Sequence, residues 1–142
     1  MKVYVITILT LLLVSALDQY SNLKTQVGQS CATTDYMTIT NFDVEPWPVV
    51  FTTTSVITLA VFVNQPGIGI GEITYGILKN QVWTYQSQEI NSMFPQNTTE
   101  VFQYIMDWPS EPGNYAIQAI VEGMDVPPTI YACWIFIFSR SV

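Results

Sequence analysis

The sequence predicts an all-β chain, an immunoglobulin-like β-sandwich of about seven antiparallel strands. Apolar residues recur with period two in short runs rich in Val, Ile, Thr, Tyr and Phe. Turns containing proline or glycine separate those runs at regular intervals. Beyond the first seventeen residues no stretch carries a helical apolar period.

The chain begins with Lys2, an apolar run to Leu17, and the small residues Val14-Ser15-Ala16. The run is short for a membrane span and predicts a signal peptide over residues 1–16, cleaved near Ala16; a retained signal anchor is the alternative. Residues 17–30 are polar and read as a flexible lead-in to a domain over 31–142. The first strand is expected at about Tyr36–Val44. Its apolar phase shifts from Met37 and Ile39 to Phe42 and Val44, which predicts a bulge near Thr40-Asn41. Pro46-Trp47-Pro48 ends it, because proline donates no ladder hydrogen bond.

The second strand, about Ser55–Val63, sets Ile57, Leu59, Val61 and Val63 on one face. Asn64-Gln65-Pro66-Gly67 reads as a turn, and the Gly67–Gly71 alternation of glycine with isoleucine as its flexible continuation. The third strand, about Glu72–Lys79, aligns Ile73, Tyr75 and Ile77. Asn80-Gln81 is a candidate tight hairpin into a fourth strand, about Val82–Gln86. Residues 89–99 read as looser chain. The fifth strand, about Glu100–Trp108, aligns Phe102, Tyr104 and Met106. The sixth, about Asn114–Glu122, aligns Tyr115, Ile117, Ala119 and Val121. The last, Thr129–Phe138, is apolar on both faces and has to be covered on both sides or line an apolar space.

Eleven carboxylates face four cations, one of which, Lys2, leaves with the signal. This acidic balance argues against nucleic acid and against strong attraction to anionic lipid surfaces. About 125 residues remain after cleavage, enough for one domain with a real core. Cys31 and Cys133 are the only cysteines. In a secreted chain a structural disulfide is the expected state, with two free buried thiols as the alternative. Asn97-Thr98-Thr99 is a glycosylation sequon.

The chain has no histidine. That removes Ser-His and Cys-His catalysis and imidazole metal ligands, so the expectation is no enzyme, no metal and no cofactor. The carboxylate pairs Asp43/Glu45 and Asp107/Glu111 read as solvated strand ends rather than a hydrolytic pair.

Asn41-Phe42-Asp43-Val44-Glu45-Pro46-Trp47-Pro48, Tyr75-Gly76-Ile77-Leu78, Phe102-x-Tyr104 followed by Trp108-Pro109, Pro112-Gly113-Asn114-Tyr115, and Ala132-Cys133-Trp134-Ile135 together resemble the ML lipid-recognition domains. That family includes the Niemann–Pick type C sterol carrier and phosphatidylglycerol/phosphatidylinositol transfer proteins. The resemblance covers roughly residues 31–139. It departs from the family in lacking additional cysteine pairs near the cavity mouth.

The resemblance implies two splayed sheets with a lipid cavity between them and a Cys31–Cys133 bond. It also implies a secreted or endolysosomal carrier of a sterol or phospholipid that makes transient membrane contact, with a protein receptor or hydrolase as a further partner. The cavity would be lined by Val61, Val63, Tyr75, Ile77, Phe102, Tyr104, Tyr115, Ile117, Ala119, Trp134, Phe136 and Phe138. On their own these residues also read as ordinary sandwich core. Trp47, Val82, Trp83, Met93 and Phe94 are candidates for the cavity mouth, or for edge packing. The other reading of the whole domain is a structural or adhesive sandwich with a filled core that binds a protein.

Overall fold

A computed structural model describes residues 27–49 and 53–141. The predicted signal peptide and most of the predicted lead-in lie outside those residues. Eight strands follow in chain order: β1 (Gln29–Ala32), β2 (Met37–Glu45), β3 (Thr54–Val63), β4 (Ile68–Lys79), β5 (Val82–Phe94), β6 (Thr99–Asp107), β7 (Gly113–Gly123) and β8 (Ile130–Arg140). They form two antiparallel sheets, a larger one in the order β1-β8-β7-β4-β5 and a smaller one in the order β2-β3-β6. The fold is the predicted all-β sandwich. The additional strand, β1, is short and exposed throughout, so it carries no alternation to read. It pairs with β8 through its main chain, setting Gln29 opposite Ile135.

Local chemistry explains the register. The β2–β3 pairing slips between Ile39 and Asn41, where the apolar phase of the sequence changes, and this brings Phe42 and Val44 back to the inner face. Asn80 and Gln81 both have positive φ, 49° and 66°, which closes the β4–β5 hairpin in two residues with Lys79 opposite Val82.

Two expectations need correction. Residues 68–71 are the start of β4 and not a flexible turn. Ile68 and Ile70 are buried, and the glycines between and after them permit close approach. A Cβ on Gly69 would lie 2.7 Å from the sulfur of Met93, and one on Gly71 would lie 2.7 Å from the Gly123 carbonyl oxygen. The segment expected to be loose after Gln86 continues as β5 to Phe94. Its half-buried positions mix Gln86 and Gln88 with Ile90 and Phe94, so it lacked the apolar alternation that marks the other strands.

The facing sheet surfaces make one core. The smaller sheet supplies Phe42, Val44, Ile57, Leu59, Val61 and Val63, and the larger supplies Ile73, Tyr75, Ile117, Val121, Trp134 and Phe136. Burying a side chain of this size contributes about 1.5–3 kcal/mol. Aromatic pairs cross the interior: Phe42 stacks on Trp134 with ring centroids 5.8 Å apart, and Tyr75 stacks on Tyr104 at 4.8 Å. Cys31 and Cys133 are bonded, with Cα atoms 5.2 Å apart and a sequence separation of 102. The bond joins the neighbouring strands β1 and β8 of one sheet.

Candidate functional site

The two long flanks of the sandwich are closed in different ways. On the β1/β2 flank the main chain itself crosses: the Val27 N–H donates to the Phe42 carbonyl oxygen at 3.1 Å. On the other flank β5 and β6 are the edges of separate sheets. Two glutamines of β5 span this seam. Gln86 Nε2 donates to the Asp107 carbonyl at 2.8 Å, and Gln86 Oε1 accepts from the Asp107 N–H at 3.2 Å. Gln88 Nε2 donates to the Gln103 carbonyl at 3.1 Å. The spacing of Gln86 and Gln88 puts both amides on the inner face of β5, where they satisfy main-chain groups of the β6 edge.

Behind the glutamines the interior is partly polar. Tyr104 donates to Gln86 Oε1 at 3.5 Å. The Tyr75 hydroxyl and Gln88 Oε1 are buried and have no hydrogen-bond partner among the described residues. Tyr75 is 0% exposed. Burial pushes its phenol well above the ordinary tyrosine range, and the neighbouring Tyr104 phenol adds to the shift. Tyr75 lies opposite Gln86 across the β4–β5 ladder, and Gln88 lies opposite Ile73, so Tyr75 and Gln88 are diagonal neighbours on one face.

Of the twelve residues expected to line an interior cavity, Val61, Val63, Tyr75, Ile77, Tyr115, Ile117, Ala119, Trp134, Phe136 and Phe138 are buried in a single cluster. Phe102 and Tyr104 are half-buried and pack against that cluster from β6. The five residues expected at a mouth separate into two groups. Val82 and Trp83 are exposed at the β4–β5 hairpin, and Trp83 stacks beside Tyr85 over Gly76 on the outer face. Trp47 sits toward the same end, edge-on to Phe136 and Phe138. Met93 and Phe94 are at the far end of β5, thirteen residues long, or roughly 40 Å from the hairpin. Phe94 packs edge-on to Phe102 there, at 5.7 Å.

Two clefts on the larger sheet open to solvent. One, of about 640 Å³, runs past Val27, Gly28, Gln29, Trp47 and residues 135–137 of β8. The other, of about 700 Å³, lies at the hairpin end among Leu78, Asn80, Gln81, Asn114 and Ile137. Neither is lined by a residue of β5 or β6.

Cations are sparse near the seam, and β5 and β6 carry none. Lys79 Nζ is 2.6 Å from Glu111 Oε2 and 5.3 Å from the centre of the Tyr115 ring. The Lys79 hydrogen bond and charge hold the Glu111 carboxyl below its usual value. Among the described residues, no three His, Cys, Asp or Glu side chains gather to hold a metal ion. Asn97 lies in the exposed turn between β5 and β6, with its N–H bonded to the Val63 carbonyl at 2.8 Å. The glutamine pair is the part of this arrangement that sequence reasoning missed. Its available signal was Gln86-x-Gln88 in a strand, two amides on the face that should have been apolar.

No protein-family model matches the chain, and no curated protein matches it.

Proposed function

We propose that this domain binds a lipid between its two sheets and admits it through the β5/β6 seam. The observation that carries the reading is the closure of that flank. The two sheet edges there are joined by glutamine side chains rather than by a main-chain ladder. Such bonds exchange with water at little net cost, about 0.5–1.5 kcal/mol each. Half-buried Ile90, Phe94, Phe102 and Tyr104 line the seam, and the apolar interior lies directly behind them. Separating the edges would give an acyl or sterol body an apolar surface, at about 0.8 kcal/mol per buried methylene. The Cys31–Cys133 bond supports an oxidising, extracellular or lumenal setting. Transfer between membranes, with contact through exposed apolar residues, belongs to the same proposal.

A second reading is favoured by a specific observation. Val56, Val101 and Ile105 are exposed on the outer face of the smaller sheet, with Val56 directly opposite Ile105, and aromatic pairs already fill much of the interior. A filled sandwich that binds a protein through this face fits those residues. Native mass spectrometry of the secreted domain, followed by organic extraction and lipid analysis, separates the two. A stoichiometric lipid lost on extraction is the expected result. A lipid-free mass, together with no uptake of sterol, phospholipid or fatty acid, sinks the lipid reading.

A further inference from the structure

The Tyr75 hydroxyl and Gln88 Oε1 are the two buried side-chain polar atoms without a partner among the described residues, and both belong to the inner face beside the seam. Leaving such a group unpaired opposes folding, because its lost hydration is not replaced. Their chemistry is complementary to one small group. A phenol O–H donates, and an amide oxygen only accepts. A ligand hydroxyl accepts from Tyr75 while donating to Gln88, which pairs both atoms at once.

We infer that the interior site selects a neutral lipid carrying a free hydroxyl, held between Tyr75 and Gln88, over a carboxylate or phosphate lipid; this rests on the lipid-binding reading. A carboxylate has no proton to donate to Gln88 Oε1, and its charge would be desolvated without a cation beside it. Among the described residues the cations are Lys79 and Arg140, both at strand ends toward the hairpin, and Lys79 is taken by Glu111. An ether or ester accepts from Tyr75 and leaves Gln88 unpaired. Gln88 is also fixed in place, because its Nε2 is committed to the Gln103 carbonyl. The hydroxyl source, sterol or long-chain alcohol, is left to the ligand panel.

The test uses the full secreted chain with its disulfide intact. Binding is measured for hexadecanol, its methyl ether and hexadecanoate, and for cholesterol and its methyl ether, on the parent and on Tyr75→Phe. The variant loses no intramolecular hydrogen bond, so its fold is retained. The alcohol of the preferred series is expected to bind about ten-fold tighter than its ether, because only the alcohol donates to Gln88, and Tyr75→Phe to weaken alcohol and ether alike by about ten-fold, because both accept from Tyr75. Tighter binding of hexadecanoate, or an alcohol affinity unchanged in Tyr75→Phe, overturns the inference. Equal binding of alcohol and ether does so too, and makes the pair a buried-water site. If none of the panel binds, the lipid reading itself fails, and the inference falls with it.

Discussion

Ser55 shows how few polar atoms the core tolerates and how tightly they are used. It is the one fully polar side chain among the buried described residues. Its hydroxyl donates to the Pro46 carbonyl at 3.1 Å and accepts from Trp108 Nε1 at 2.8 Å. Ser55→Ala strands both partners at once and is expected to lower stability by about 1–3 kcal/mol, read from the denaturant midpoint. An unchanged midpoint would mean that water replaces the hydroxyl. Tyr75 has the opposite sign. Its hydroxyl is buried without return in the free protein, so Tyr75→Phe is expected to leave stability equal or to raise it by up to about 1 kcal/mol. Its effect on pH dependence is equally specific. The unfolded chain releases the phenolic proton near pH 10.0, whereas the folded chain holds it well above that. Stability therefore falls as pH climbs past 10, and the fall should be shallower in Tyr75→Phe. On the acid side, Glu111 is held low by Lys79 and Asp125 by Thr129, so their contributions vanish as pH drops below the ordinary carboxylate range. A series of denaturation curves across pH measures both limbs.

Strands were legible in the sequence wherever one face was apolar and the other was not. The bulge near Thr40 followed from the step between Ile39 and Phe42, and the alternation in β3 located its buried face from Ile57 to Val63. β1 was not legible, because main-chain pairing and a disulfide hold it rather than side-chain burial. The start of β4 was hidden by glycines that are there for close packing and that mimic a turn. The candidate site was the least legible part. The Tyr75–Gln88 relation exists only once the β4–β5 register is known, and a glutamine facing inward has no signature in a pattern of apolar residues. One element carries a correctable strain. Gln81 holds φ at 66° in the two-residue hairpin, a conformation glycine adopts freely. Gln81→Gly is expected to stabilise the domain by about 1 kcal/mol. Thermal unfolding at neutral pH would detect this, and a lower midpoint would mean that the Gln81 side chain makes a compensating contact.

The whole molecule is anchored on one side. The Cys31–Cys133 bond closes a loop of 102 residues, and in the chain-entropy picture its removal through paired Cys31→Ala and Cys133→Ala costs about 4–5 kcal/mol. Urea titration of the purified pair variant checks the figure; a loss below about 1 kcal/mol would assign the bond another role. The main-chain crossing at Val27 reinforces the same flank. The opposite flank relies on Gln86 and Gln88, and this makes one backbone proton unusually informative. The Asp107 N–H is bonded to a side chain of the other sheet rather than to a strand partner. Its hydrogen exchange with solvent deuterium therefore reports parting of the two sheet edges. Amides inside the β3–β6 ladder remain protected during that motion, because their bonds are untouched by it. A fast-exchanging Asp107 amide set among slow β6 neighbours would time the opening of the sandwich in the free protein, and slower exchange with lipid present would record the edges being held shut.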